Sequence, residues 1–233
     1  MKRFPWVLTV LTAALLVVLT ALGVWQMRRM AWKEGLIAAS VAAEQQAPAP
    51  LDQVLAAPAP EFRRALVVCR GLARAPYVEL QSIHDGEAGV RLISSCRPEG
   101  MERTVLIDRG FIGEAISARP PVAPDTMPVA LLAVLRTPET ASSFVPPAEG
   151  THFYARDNAA MARALGVQGA VEPWVLFAVT SSNPEWAALR PSAPPAAFSN
   201  NHLGYALTWF GLALALLVFY VLLLRRRLSE RAA

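Results

Sequence analysis

No Gly-x-Ser-x-Gly, no His-Glu-x-x-His, no phosphate-cradling glycine loop and no Cys-x-x-Cys occurs in this sequence of 233 residues. Each of those patterns supplies the geometry its chemistry requires, so the usual hydrolase, zinc-protease, nucleotide and thiol-redox readings lose their footing. Histidine is scarce, with only His84, His152 and His202, and most histidine-based catalytic or metal clusters are hard to assemble from three. His84 sits beside Asp85-Gly86 and His152 precedes the strand-like Phe153-Tyr154, positions where solvent exposure or a turn bond is the ordinary role. An enzyme is not expected. Cysteine is scarcer still: Cys69 and Cys96 lie too far apart in sequence for a zinc or thioredoxin-type pair. They either form one disulfide, if their domain is extracytoplasmic, or stand as separate buried thiols in two strands.

The net charge of +4 is the next thing to weigh, because a basic protein invites a nucleic-acid reading. Partitioning removes it. Outside residues 34 to 224 the charge is +8, carried by Lys2, Arg3, Arg28, Arg29, Lys33, Arg225, Arg226, Arg227 and Arg231 against Glu230, and the body between is −4. The basic character therefore belongs to the flanks of two apolar runs, and no nucleic-acid partner is expected.

Long apolar runs are what the chain does have, which explains 54% apolar residues and a mean hydropathy of +0.35. From Leu203 to Leu224 there is no charge, and at ~1.5 Å per residue the run covers roughly 33 Å, enough for the ~30 Å core of a bilayer. A second uncharged run extends from Phe4 to Met27, with its apolar core from Val7 to Trp25. It exceeds the ~7–15 residues of a signal-peptide core, and its small-residue match Ala21-Leu22-Gly23 is followed by more helical pattern, so an uncleaved anchor fits better. Two crossings put both termini on one side, and the Arg225-Arg226-Arg227 cluster makes that side cytoplasmic. Past Leu224 only nine residues remain, too short for a signalling domain, so a receptor is not expected. Arg28, Arg29 and Lys33 then lie on the outer side, against the charge rule. At helical spacing Trp25, Arg28, Arg29 and Trp32 share a face, readable as an interfacial tryptophan belt with snorkelling arginines or as an anion site.

Between the helices the pattern changes. Residues 44 to 60 read as a Pro-rich linker around the apolar segment Leu51 to Leu55. Strands are expected over 62–72, 77–81, 89–95, 104–108, 129–136 and 174–180, with Asp85-Gly86 as a hairpin turn. One helix is expected from Asn158 to Leu165, with Asp157 as N-cap and Gly166 as C-cap, and residues 184–195 read as a second linker. Arg109, closing an apolar strand ahead of Gly110, reads as a strand-end ion pair with a tight turn, or as a contact for a partner or ligand. The fold class that follows is an α+β membrane protein, two transmembrane helices flanking one mainly antiparallel β domain with a short helix. Its divisions are a cytoplasmic N-terminus (1–6), transmembrane helix 1 (7–27), a helical extension (28–43), an extracytoplasmic β-rich domain with linkers (44–202), transmembrane helix 2 (203–224) and a cytoplasmic tail (225–233).

Three stretches carry a resemblance: Gly23-Val24-Trp25-Gln26-x-x-Arg29-x-x-Trp32-Lys33, Val105-Leu106-Ile107-Asp108-Arg109-Gly110-Phe111-Ile112, and Asn200-Asn201-His202-Leu203-x-Tyr205-Ala206-x-Thr208-Trp209-Phe210. Together they resemble the surfeit locus protein 1 family, across the whole two-helix architecture, with Phe111 standing where that family more often has Trp. The resemblance implies a cytochrome c oxidase assembly factor of a bacterial inner membrane, working with oxidase subunit I, other assembly factors and lipid. It also implies haem a as the proposed cargo. The residues give that implication a form: His202 as ligand to the haem iron, Ala206 under the ring with Tyr205 and Trp209 beside it, and Arg28 or Arg29 with Trp25 at the propionates. The pair Gly211 and Ala215 would let the helices approach closely. Against haem, His202 has the alternative of capping its helix and meeting lipid headgroups, which leaves a cofactor-free scaffold for an assembly intermediate as the second reading.

Overall fold

The computed structural model describes residues 5–138, 144–193 and 200–232. Two compact units emerge, one from residues 1–38 with 197–233, the other from 39–196.

The first unit is built by α1 (Trp6–Glu44) and α4 (His202–Ala232), both long and apolar enough to cross a membrane. No proline interrupts α1 after its start, so the apolar run continues into the extension without a break. Over residues 6 to 30 the less exposed positions of α1 are Thr9, Thr12, Leu16, Leu19, Gly23, Gln26 and Met30, with Leu22 beside Gly23, and those of α4 are His202, Ala206, Trp209, Ala213, Leu216, Tyr220 and Leu224. Both series step by three and four, the spacing of a left-handed helix pair in which alternating positions keep facing the partner. The register is antiparallel: Thr9 Oγ1 lies 2.7 Å from the Tyr220 hydroxyl near one end, and Gln26 meets His202 near the other. The helices come close at Gly23, where an added Cβ would sit 2.5 Å from the Phe210 ring. Gly211 and Ala215 are off the seam, both exposed, and a Cβ on Gly211 would meet nothing. The expectation that they bring the helices together is corrected: Gly23 and the fully buried Ala206 do so.

The second unit is an eight-stranded sheet. Its strands are β1 (Ala49–Pro50), β2 (Arg64–Arg70), β3 (Val78–His84), β4 (Glu87–Cys96), β5 (Thr104–Gly113), β6 (Pro128–Arg136), β7 (His152–Phe153) and β8 (Val171–Ala178). They lie in the order β1-β2-β6-β8-β5-β4-β3-β7. The pairings β2–β6, β6–β8, β5–β4 and β4–β3 are antiparallel, while β1–β2, β5–β8 and β3–β7 are parallel, so the sheet is mixed with an antiparallel majority. The hairpin between β3 and β4 turns on Asp85 and Gly86, both at positive φ (51° and 81°), the backbone of a type I′ turn. Two short helices accompany the strands. In α3 (Asn158–Ala164) the Asp157 side chain accepts from Ala160 N, and Gly166 follows the C-cap at φ 69°. The segment read as linker around Leu51 is α2 (Leu51–Leu55), which buries Leu51 and Val54.

β5 has both neighbours in place and lies buried along nearly its whole length. One core gathers Val67, Cys69, Leu72, Cys96, Val105, Ile107, Leu135 and Leu176 under α2. Another joins Val78, Leu80, Ile93 and Leu106 to Phe153 of β7 and to Met161 and Ala162 of α3. Cys69 and Cys96 are joined by a disulfide, which ties β2 to the end of β4 across intervening strands. Closing a loop of this length restricts the unfolded chain by about 3–4 kcal/mol. The second Pro-rich segment, whose residues 194 and 195 lie outside the described residues, is packed rather than loose around its middle: Leu189 is buried, and Arg190 exchanges both backbone bonds with Phe111.

Candidate functional site

Where α1 and α4 meet at the His202 end, polar groups replace apolar ones on the seam. His202 Nδ1 lies 2.6 Å from Gln26 Oε1, and Asn200 Nδ2 donates to the Met30 carbonyl at 3.4 Å. In the tautomer that makes this bond Nδ1–H donates to the amide oxygen, and Nε2 is then the nitrogen with a lone pair. A second partner that fixes the tautomer and orientation of an imidazole is the usual support for a histidine ligand. One turn further along α4, Ala206 is fully buried, Trp209 is half-buried and Tyr205 is 59% exposed.

The site residues read from the sequence are brought together only in part. His202, Ala206 and Trp209 share the seam. Trp25 is 51% exposed, and Arg28 and Arg29 are exposed as well, with the Arg29 guanidinium 4.6 Å from the centre of the Trp32 ring. Measured from the inward-facing Gln26 at about 100° per residue, Arg28 is turned by about 200° to the far side, while Arg29 is only about 60° away. Gln26 was missed as a functional residue, although its place three residues beyond Gly23 on a step of three and four puts it on the seam.

A second polar cluster lies within the sheet. Asp108, fully buried, receives Arg91 Nε at 2.8 Å and 3.0 Å on its two oxygens, and Arg156 Nη2 on one of them. Both guanidiniums lie over the Phe177 ring, at 5.3 Å and 4.9 Å from its centre. Arg91 reaches on to the Ser192 carbonyl and, at 3.3 Å, its hydroxyl. Arg109 faces the other way. The ladder between β4 and β5 skips there, pairing Ile93 with Asp108 and Leu92 with Gly110, so Arg109 is the extra residue of a bulge. Its fully buried side chain donates to Ser182 Oγ (3.0 Å), Ser94 Oγ (3.5 Å) and the Ala73 carbonyl (2.9 Å). Burial holds its pKa down at about 10, which the nearby Tyr77 phenol opposes, while burial first and Glu79 second push Tyr77 up. The strand-end ion pair expected of Arg109 is thus corrected: β5 continues to Gly113, the ion pairs belong to Asp108, and Arg109 binds neutral oxygens. Gly110, at φ 134°, lets the chain pass so close to Arg190 that a Cβ would lie 2.3 Å from its carbonyl oxygen.

Two packed helices, each long and apolar enough to cross a membrane, with a sheet domain between them in sequence, describe a membrane protein. Among the described residues, no cluster of three or more His, Cys, Asp or Glu could hold a metal ion. A family model described as the SURF1 family matches residues 13–214, and the chain belongs to that family, whose members are cytochrome oxidase assembly factors and not enzymes. It is similar to a SURF1-like protein of Drosophila melanogaster, 31% identical over 83% of this chain and 70% of the relative. Human Surfeit locus protein 1 is 29% identical over 86% of this chain and 73% of its own length. A SURF1-like protein of Rickettsia conorii is 59% identical over a stretch of 34 residues.

Proposed function

We propose that this protein is an assembly factor for haem-copper cytochrome c oxidase that holds haem a at the outer end of its helix pair and aids its transfer to subunit I. The observation that carries the proposal is the 2.6 Å contact between Gln26 and His202, which leaves Nε2 as the free nitrogen of an oriented imidazole. The donor chemistry suits the cargo: one neutral imidazole binds haem iron firmly enough to keep it out of the lipid and weakly enough to give it up. Ala206 is closed off on the seam, so the ring plane would lie outside it, against the exposed Tyr205 and the half-buried Trp209, with Trp25 at the same end of α1. Arg29, closer to the seam than Arg28, is the better placed cation for a propionate, with Arg28 open to lipid headgroups.

The same proposal sets both termini in the cytoplasm and residues 34 to 200 on the outer, periplasmic side of a bacterial inner membrane. Two independent features support it: the arginine cluster after Leu224 and the Cys69–Cys96 disulfide, a bond kept in oxidising compartments. The exposure of Trp25, Arg28 and Arg29 favours a second reading, a cofactor-free scaffold whose α1 face meets lipid or an oxidase subunit.

His202→Ala separates the two. Purified in detergent after expression with haem a synthesis, the wild type is expected to show a Soret band that the variant loses or shifts, with normal abundance and with oxidase deficient in haem a. An unchanged spectrum in the variant, or no haem on the wild type, overturns haem holding and leaves the scaffold.

A further inference from the structure

Three arginines enter the interior of the sheet unit, and among the described residues Asp108 is the only carboxylate that pairs with any of them. Arg109 is satisfied by three neutral oxygens. Arg91 divides its donors between Asp108 and Ser192. Arg156 is different. Its side chain is 10% exposed, its Nη2 goes to Asp108, and its Nη1 is buried with no hydrogen-bond partner. The trio Arg91, Asp108 and Arg156 therefore carries one uncompensated positive charge and one unused donor in the same place.

Both features call for the same thing. Buried charge is tolerated when paired, and an unsatisfied donor on a charged group costs more than one on a neutral group. A water molecule would satisfy the donor and leave the charge. A monoanion satisfies both, whereas a phosphate dianion would leave an excess negative charge. The Phe177 ring, 4.9 Å from the Arg156 guanidinium, and the bond from Nη2 to Asp108 hold the group in place, so the donor is oriented before a ligand arrives. We propose that Arg156, backed by Arg91 and Phe177, is a receptor for one carboxylate supplied from outside the chain, either a small carboxylate in solution or an acidic side chain of a docking protein. The site lies in the sheet unit and does not depend on haem being held by His202.

Acetate is the probe. The full chain in detergent is melted over a range of sodium acetate, with ionic strength held constant by sodium chloride. The wild type is expected to gain a saturable rise in melting temperature, and Arg156→Gln to move the acetate midpoint about tenfold or more upward, the scale of one charge-assisted hydrogen bond. Arg103→Gln, an exposed arginine paired with Glu172, removes the same charge elsewhere and is expected to titrate as the wild type. Arg156→Lys keeps the charge but not the planar fork and is expected to fall between, which preserves the test if R156Q does not fold. The proposal is overturned if acetate acts on the wild type no differently from chloride, if inorganic phosphate replaces it with equal effect, or if R156Q titrates as the wild type. Oxidase maturation in cells distinguishes the source. A loss in R156Q at normal protein abundance marks a carboxylate borne by a partner, and normal maturation marks one from solution; both results retain the site.

Discussion

The two units solve the same problem, polar groups away from water, with opposite means. On the helix seam the polar contacts are neutral: imidazole to amide at His202 and Gln26, hydroxyl to hydroxyl at Thr9 and Tyr220. Inside the sheet unit they are ionic, with three guanidiniums and a carboxylate among fully buried neighbours. A charge deep in a bilayer has only lipid to fall back on, whereas a sheet domain folding in water can surround a guanidinium with serine hydroxyls and backbone carbonyls before it is closed off. The seam therefore gains direction from groups that cost little to desolvate, and the sheet gains it from groups that become costly if a partner is lost.

Breaking the ionic side should have the largest effect. Asp108→Asn leaves Arg91 and Arg156 facing each other without their carboxylate, and a loss of about 3–5 kcal/mol is expected, or roughly 10 °C in the melting temperature of the sheet unit followed by near-UV circular dichroism. A fall no larger than that of a surface substitution would mean that the two arginines are compensated elsewhere. Next comes the covalent tie. Cys69→Ala with Cys96→Ala is expected to cost about 2–4 kcal/mol in the same melt. In acid-quenched cells denatured to open the core, a bulky maleimide should modify the wild type only after reduction. Modification without reductant would place these cysteines in a reducing compartment and reverse the proposed topology.

The smallest expected effect sharpens the neutral side. Gly23→Ile forces a branched side chain into the Phe210 ring, at a cost of about 1–3 kcal/mol. Cross-linking between cysteines introduced at Thr9 and Tyr220 should fall. Gly211→Ile, changed on the same helix pair but in open space, should leave the cross-link yield as it was. Equal yields from the two variants would move the seam.

What the sequence disclosed follows from how local each cause was. The type I′ turn at Asp85-Gly86 and the caps of α3 are written in a few adjacent residues, and both are found where those residues put them. β2, β3, β4, β5, β6 and β8 follow from their apolar runs. β1 does not, and β7 shows only as the strand-like Phe153-Tyr154, because two residues make little pattern of their own and pair only once β2 and β3 are in place. The role of Arg109 was hidden for a similar reason: alternation puts it on the face of Ile107 and Ser94, opposite Asp108, but the one-residue skip that leaves it without a ladder partner is recorded by nothing within β5. On the helices, Gly211 and Ala215 satisfied a spacing rule but lay off the seam. The three-and-four series through Gly23 and Gln26 was present in the sequence, and its polar members Thr9, Thr12 and Gln26 obscured it.

The outermost strands carry a consequence for the company this domain keeps. β1 and β7 are two residues each, and past β1 the flank of β2 lies beside residues 98–101, where Glu99 pairs with Arg70. An extended stranger laid along β1 or β7 would gain a couple of backbone bonds while surrendering about 1–2 kcal/mol of freedom for every residue it ordered. Unfinished polypeptides are rich in unpaired strands searching for a template. Among the described residues the sheet offers such strands only short edges of this kind, which makes it a poor template for them.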